Sequence, residues 1–345
     1  MQTATVAITP APEKESAANV SSIIAEARNF PLVSSRLLPR RLMTVQFSIF
    51  LRLINKMRRL PSWFKQEIPR NTTISTACMI SGLCLHTVCQ EAKCPNLNSC
   101  FGQKRATFLI LGKTCTRDCR FCAVEKLSQN TALGLDEDEP WRIFEVVKNL
   151  GLRYVVLTSV TRDDLQDGGA GIFARSIKLL QNLKDVKIEV LIPDFGGKIL
   201  NLQTVLEAKP DCVGHNLETV QGLYKKLRPM AFYRRSLEVL SAIKEINPAM
   251  ITKSSIMLGL GETEEEIVEA MKDLRKSNCD ILTLGQYLAP SPQHYPVREF
   301  ISPDQFKEYK DMARDLGFKA VLSAPLARSS YKAEELYKEL TLCTI

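Results

Sequence analysis

Ala106-Thr-Phe-Leu-Ile-Leu-Gly-Lys-Thr-Cys-Thr-Arg-Asp-Cys-Arg-Phe-Cys-Ala-Val124 decides how the rest of the chain is read. Its opening residues form an apolar run that stops at Gly112, the pattern of a buried strand. Cys115, Cys119 and Cys122 follow in a C-x3-C-x2-C spacing. Three thiolates this close can hold three corners of one iron–sulfur cube. One iron then lacks a protein ligand and can take a small molecule, as an open zinc position takes substrate. The thiols sit on the loop leaving a strand, where α/β barrels gather their chemistry. A zinc knuckle is the competing reading, but zinc asks for a fourth Cys or His in pair spacing near by.

The spacing resembles the cluster motif of the radical S-adenosylmethionine enzymes. That resemblance implies a 4Fe–4S cluster on Cys115, Cys119 and Cys122. Its open iron would chelate S-adenosylmethionine, and electron transfer would release a 5′-deoxyadenosyl radical.

Composition sets the frame. With 345 residues, the chain fits one barrel-sized domain with extensions. At 45% hydrophobic and 24% charged, it reads as an ordinary soluble protein, and no run of eighteen apolar residues predicts a membrane span. The formal charge of +8 mildly favours acidic partners or phosphate-bearing ligands, an acidic protein or cofactor first. Nucleic acid is not indicated, because the Lys and Arg residues are spread and no binding motif stands out. Six of the 11 cysteines fall in two tight triplets, which suit clusters better than disulfides and imply a reducing compartment.

The second triplet lies upstream, in Leu85-His-Thr-Val-Cys-Gln-Glu-Ala-Lys-Cys-Pro-Asn-Leu-Asn-Ser-Cys100. Cys89, Cys94 and Cys100 make C-x4-C-x5-C, while Cys84 with Cys89 and Cys94 makes C-x4-C-x4-C, and spacing does not choose between them. His86-Thr-Val-Cys-Gln-Glu-Ala-Lys-Cys-Pro-Asn96 resembles the auxiliary-cluster motif of the lipoyl synthases, over a match running from about Arg59 to about Ala333. The resemblance implies ligands at Cys89, Cys94 and Cys100, leaving Cys84 and Cys78 as incidental thiols. Arg328-Ser-Ser-Tyr331 matches that family's serine-ligand motif, with Ser330 rather than Ser329 at the ligand position. Biotin synthase, a nearer rival, lacks the upstream triplet.

Strand-like runs at Tyr154–Ser159, Val186–Ile192, Cys212–Asn216, Thr252–Leu258 and Ile281–Gln286 alternate with helical patterns at Trp141–Asn149, Leu217–Leu227 and Glu264–Lys276. The expected fold is α/β, a partial (β/α)6 TIM-like barrel of the radical S-adenosylmethionine type; a doubly wound sheet is the alternative. N- and C-terminal extensions would carry the auxiliary cluster. The expected division is 1–54 as a poorly ordered extension, 55–105 as the auxiliary-cluster segment, 106–300 as the barrel and 301–345 as a C-terminal extension. Glu13, Glu15 and Glu26 argue against a transit peptide in the first segment, and Met43 could be the start.

Polar loops end several strands. The Thr158–Gly169 loop reads equally well as a flexible connection or a ligand contact. His215 alone is more often a hydrogen-bonded core residue and His294 plain loop polarity, while Tyr233-Arg-Arg-Ser236 supplies a guanidinium for a carboxylate slightly more readily than a solvated helix start. The resemblance implies S-adenosylmethionine contacts from Thr158, Ser159, Asn216, Glu218 and Arg235. Departures from the family pattern at Asp118, Gly214, Ser255 and Lys332 remove no ligand.

The activity so implied is radical insertion of sulfur at carbons six and eight of an octanoyl chain, the auxiliary cluster giving up its sulfide. Another radical sulfur-insertion enzyme, or an electron carrier with two clusters, are the alternatives. Expected partners are octanoylated lipoyl domains of 2-oxoacid dehydrogenases and the glycine cleavage H protein. An electron donor such as ferredoxin or flavodoxin, and a cluster-repair protein, complete the set. The expected location is the cytoplasm, or an organellar matrix in a eukaryote.

Overall fold

β2 (Thr107–Ile110) is buried along its whole length, because it is covered on both faces. That is the signature of a parallel strand, and it explains the unbroken apolar run in the sequence. The computed structural model describes residues 60–65, 73–128 and 133–342. The expected N-terminal extension, with Met43, lies outside them. Helix α1 (Thr73–Gly82), strand β1 (His86–Thr87), and short helices α2 (Val88–Glu91) and α3 (Leu97–Gly102) precede β2.

A small ladder, β3 (Thr114–Cys115) with β4 (Glu125–Lys126), follows β2. Then come α4 (Glu139–Leu150), β5 (Tyr154–Ser159), α5 (Ala170–Leu180), β6 (Lys187–Leu191), α6 (Ile199–Glu207) and β7 (Cys212–Gly214). The remainder is α7 (Gln221–Leu227), α8 (Tyr233–Ile246), β8 (Ile251–Leu258), α9 (Glu264–Lys276), β9 (Ile281–Gln286), α10 (Pro303–Asp315), β10 (Ala320–Ala324) and α11 (Ala333–Leu342). The main sheet has the order β1-β2-β5-β6-β7-β8-β9-β10. Its pairings are parallel from β2 to β10, and β1 is antiparallel to β2.

Register separates the two faces of the sheet. Val190, Val213, Leu282, Leu284 and Val321 pack into the large core with the helices. Cys212, Ile281 and Ala320, on the opposite face, form a second core with Leu336 of α11. α11 thus covers the starting ends of the strands, and Tyr337 lies 5.7 Å from the Tyr154 ring. The same inner face holds a buried ion pair, Lys253 Nζ to Glu189 Oε1 at 2.8 Å, with the Tyr154 hydroxyl donating to Glu189 Oε2 at 2.7 Å. Each charge has a partner, which is what allows them there.

Two differences from the sequence reading matter. A seventh parallel strand, β10, continues the sheet beyond residue 300. Its Ala-Val-Leu-Ser-Ala composition carries little strand preference. The helix expected from Leu217 begins only at Gln221, because Glu218 bridges to Ile256 and has φ 69°. That keeps Leu217 to Val220 at the exit of β7 instead of burying them in a helix.

Side chains join the two edges of the sheet. Asn96 Nδ2 donates to the Leu326 carbonyl at 2.7 Å, and Thr107 Oγ1 donates to Ser330 Oγ at 2.7 Å. Gly285 permits this approach, since a Cβ there would lie 2.1 Å from the Ala327 carbonyl oxygen. Gly285→Ala should therefore push the 325–330 segment off the sheet and cost about 1–3 kcal/mol. Denaturant unfolding tests this, and a variant as stable as the parent would contradict the packing described.

Candidate functional site

The cysteine loop is closed at its base by the β3–β4 ladder, where Cys115 pairs with Lys126. Cys115 Sγ accepts from the backbone N–H groups of Arg117 at 3.5 Å and Thr161 at 3.4 Å. Arg117 is buried between two carboxylates. It donates to Asp163 through Nε and Nη2 at 2.9 Å each, and to Asp194 through Nη1 at 2.9 Å and Nη2 at 2.6 Å. Asp163 follows β5 and Asp194 follows β6, so one guanidinium ties the cysteine loop to two strand exits. Charged, two-pronged contacts of this kind fix geometry as well as energy.

The far side of the loop is held too. The Arg120 N–H donates to the Leu227 carbonyl, and the Tyr295 N–H to the Arg120 carbonyl, both at 2.9 Å. Phe121 packs against Leu227, Leu260, Tyr287 and Tyr295. His294 Nε2 lies 3.2 Å from the Cys122 carbonyl, so this residue steadies the loop instead of serving only as loop polarity. Burial pushes the Cys122 thiol up to about 11, and raises Cys119 against the pull of Arg228 and Lys126.

Seven buried polar atoms among the described residues lack protein partners: Ser159 Oγ, Asn201 Nδ2, His215 Nε2, Asn216 Oδ1, Thr219 Oγ1, Arg228 Nε and Thr283 Oγ1. Of these, Arg228 faces Cys119, His215 and Asn216 neighbour Arg228, and Ser159 lies two residues before Thr161, whose N–H meets Cys115 Sγ. Leaving such atoms unsatisfied is costly, so their gathering marks a place where a polar ligand fits. His215 Nδ1 is 2.9 Å from the Ile192 carbonyl, which can only accept. Nδ1 therefore carries the proton and Nε2 is left as an acceptor. Burial and the Arg228 charge lower the His215 pKa to about 4. Asn216 Nδ2 donates to Glu218 Oε1 at 3.0 Å. Burial raises the Glu218 carboxyl, with Arg228 opposing.

The expected ligand contacts divide. Ser159, Asn216 and Glu218 join this set. Thr158 Oγ1 is already used, donating to the Leu191 carbonyl at 2.9 Å. Arg235 is held 3.6 Å from Asp194, with its guanidinium 4.6 Å from the Phe232 ring centroid. Arg228, which sequence reasoning missed, is the guanidinium among these groups: it donates to the carbonyls of Asn216 and Leu217 at 3.3 Å and faces Cys119. Its one signal was its place in the basic Lys225–Arg228 run, which reads as a solvated helix end.

The upstream triplet gathers at the joined edges of the sheet. Cys89, Cys94 and Cys100 line one cavity with Thr107, Arg328 and Ser330. Local bonds hold them: the Cys94 N–H donates to the Cys89 carbonyl at 3.0 Å, and the Cys100 N–H to the Asn96 carbonyl at 2.9 Å. Burial, then the neighbouring Cys94, pushes Cys89 up to about 11; burial, then Cys89 and Cys94, takes Cys100 up to about 12. Three such thiols repel one another as anions and so fit a cationic iron core. Cys84 is exposed and lines a different groove, with His86 and Asp136. Cys78 is exposed on α1. Among the described residues, no three Cys, His, Asp or Glu side chains could hold a single metal ion. A four-iron cube carries one thiolate per corner and asks for a wider set.

Residues 109–274 match the Radical SAM superfamily. Among curated proteins, the lipoyl synthase of Caldanaerobacter subterraneus subsp. tengcongensis is 52% identical over 276 residues, covering 80% of this chain and 96% of that protein. The lipoyl synthase of Caldicellulosiruptor bescii is 51% identical over 276 residues, covering 79% and 94%. That of Aquifex aeolicus is 53% identical over 252 residues, covering 73% and 90%.

Of the buried groups, His215 and Asp194 make stability fall with acid, while burial raises the Glu139, Glu218 and Glu262 carboxyls, which act in the opposite direction. His215 sits at about 4 against an ordinary 6.5, so below pH 6.5 the unfolded chain binds a proton that the folded one refuses. Burial would raise Asp194, but Arg117 overcomes it and holds the carboxyl at about 2 against 3.8. Its contribution is complete above pH 3.8 and lost as the pH falls towards 2. The His215 contribution to the unfolding free energy should drop by on the order of 3 kcal/mol between pH 6.5 and 4, and that of Asp194 below that. His215→Gln should flatten the first part; an unchanged slope would contradict the assignment.

Proposed function

The chain belongs to the lipoyl synthases, a family of radical S-adenosylmethionine enzymes, and we propose that its two cysteine triplets hold two separate 4Fe–4S clusters. The family's activity is sulfur insertion at carbons six and eight of an octanoyl group on a lipoyl carrier protein. Cys115, Cys119 and Cys122 would hold the cluster that binds S-adenosylmethionine, and Cys89, Cys94, Cys100 and Ser330 the auxiliary one. When bound, these groups supply the electron that cleaves S-adenosylmethionine and the sulfide that is inserted.

The chain's own part is placement. Ser159 Oγ, His215 Nε2 and Asn216 Oδ1 offer acceptors to the cofactor's ribose and ammonium groups. An ammonium beside Glu218 would favour its carboxylate form. Arg228 offers a buried N–H to the methionine carboxylate, the role the resemblance gives to Arg235. Arg235 acts behind it, through Asp194, on the Arg117 clamp. Arg117 and His294 keep the cysteine loop still, so that the open iron meets the same geometry in each turnover. Ser330 is steadied by the Thr107 hydroxyl. A serine oxygen is a harder, poorer partner for iron than thiolate, so Ser330 would be the most weakly held member of that ligand set.

The observation that carries this reading is the division of six cysteines into two sets at two places on one sheet. The carriers we propose are the lipoyl domains of 2-oxoacid dehydrogenases and the glycine cleavage H protein, with a repair protein to rebuild the auxiliary cluster. No helix among the described residues is long and apolar enough to cross a membrane. A reducing compartment, the cytoplasm or an organellar matrix, suits the free cysteines. Residues 55–105 would then serve as the auxiliary-cluster segment, and the barrel would run from 106 through β10.

Anaerobically reconstituted Cys94→Ala should still form 5′-deoxyadenosine with an octanoylated carrier peptide, but mass measurement should find no sulfur added. Cys119→Ala should form neither product. Thiolated peptide from Cys94→Ala would contradict the assignment of the upstream triplet.

A further inference from the structure

Next to the cysteine loop lies a surface that the chemistry above leaves unused. Ile199 and Leu200 on α6, and Met230 and Phe232 between α7 and α8, stand in solvent, Leu200 76% exposed and Phe232 58%. Arg235 links the two pairs. Phe232 stacks under Arg235, and a Cβ on Gly197, two residues before Ile199, would lie 3.6 Å from Arg235 Nε. Large apolar groups exposed together mark a contact surface.

Its surroundings are cationic. Lys198, Lys225, Lys226, Arg234 and Arg120 are exposed around it, against Asp118, Asp163, Asp164 and Glu238, and the last three are already paired with Arg117, Arg162 and Arg234. Two links tie the patch to the cysteine loop. The loop's Arg120 N–H donates to the Leu227 carbonyl, at the end of α7. Arg235 reaches Asp194, and Asp194 grips Arg117, whose N–H meets Cys115 Sγ.

The reaction needs an electron from outside the chain. We propose that this face docks a small acidic protein carrying a one-electron redox group. The inference rests on the function proposed above. One electron leaves the donor's reduced group and enters the cluster on Cys115, Cys119 and Cys122; the donor is oxidised by one electron, and no proton need move. A cationic rim steers an acidic partner, and a small apolar centre suits a brief encounter. An acyl carrier has less reason to sit here, because none of these residues lines the cavity around Cys89, Cys94, Cys100 and Ser330.

The test uses the reconstituted holoenzyme carrying Leu200→Glu and Arg234→Glu, with Lys307→Glu on α10 as a control. Fluorescence titration measures binding of purified flavodoxin. 5′-deoxyadenosine formation is measured with flavodoxin or dithionite as reductant, on an octanoylated peptide and on a whole octanoylated carrier. The double variant should bind flavodoxin about tenfold more weakly, a loss of about 1.4 kcal/mol. Its flavodoxin-driven turnover should fall in step, its dithionite-driven turnover should match the parent on both substrates, and the control should be unchanged. Undiminished flavodoxin binding overturns the proposal. Dithionite-driven loss confined to the whole carrier also overturns it and assigns the face to the carrier. If the parent enzyme makes no 5′-deoxyadenosine with dithionite, the function reading fails, and this inference fails with it.

Discussion

The guanidinium of Arg117 is the contact on which the site's geometry depends. It lies inside the cysteine motif and is buried with a carboxylate on either side, Asp163 from the exit of β5 and Asp194 from the exit of β6. A loop that must present three thiols in fixed directions would otherwise wander, and flexible loops make poor cluster cradles. Breaking such a pair by removing one partner typically costs about 3–5 kcal/mol, because the remaining charge is stranded. The clamp turns two neighbouring strands into a rigid base for the motif. Asp194 also holds Arg235, so the outer surface and the cluster loop share one carboxylate.

The second cysteine set depends on a different constraint, the meeting of two sheet edges. β2 and β10 lie near opposite ends of the strand order. Segments flanking them meet through Asn96 with Leu326 and Thr107 with Ser330. These contacts span more than two hundred residues of sequence, which is why no local pattern foretells them. They bring Ser330 beside three cysteines from the other end of the described chain. The proposed ligand set is thus assembled across a seam, where it could be opened.

Much of this was legible in the sequence, and the reasons differ from place to place. The strands could be read because parallel strands covered on both faces are apolar throughout, as at Thr107–Ile110 and Tyr154–Ser159. The cysteine motif could be read because Cys115, Cys119 and Cys122 share one loop and need no long-range contact to come together. β10 was missed because Ala and Ser say little about strand formation. Arg228's burial beside Asn216 and Cys119 had no sequence signal, because a guanidinium's surroundings depend on where a loop turns; the positive φ of Glu218 gave no sign of itself in the sequence. The choice between Cys84 and Cys100 was likewise open to spacing, whereas in three dimensions only Cys100 faces the shared cavity.

The central claim is that two independent clusters occupy two independent thiolate sets. Iron and sulfide content after anaerobic reconstitution measures this most directly. It should be compared in the parent chain, in a Cys115/Cys119/Cys122 triple-alanine variant, in a Cys89/Cys94/Cys100 triple-alanine variant, and in the combination. Each triple variant should retain half the parent's iron, and the combined variant none. Loss of all iron from either triple variant alone, or retention in the combined one, would contradict the account.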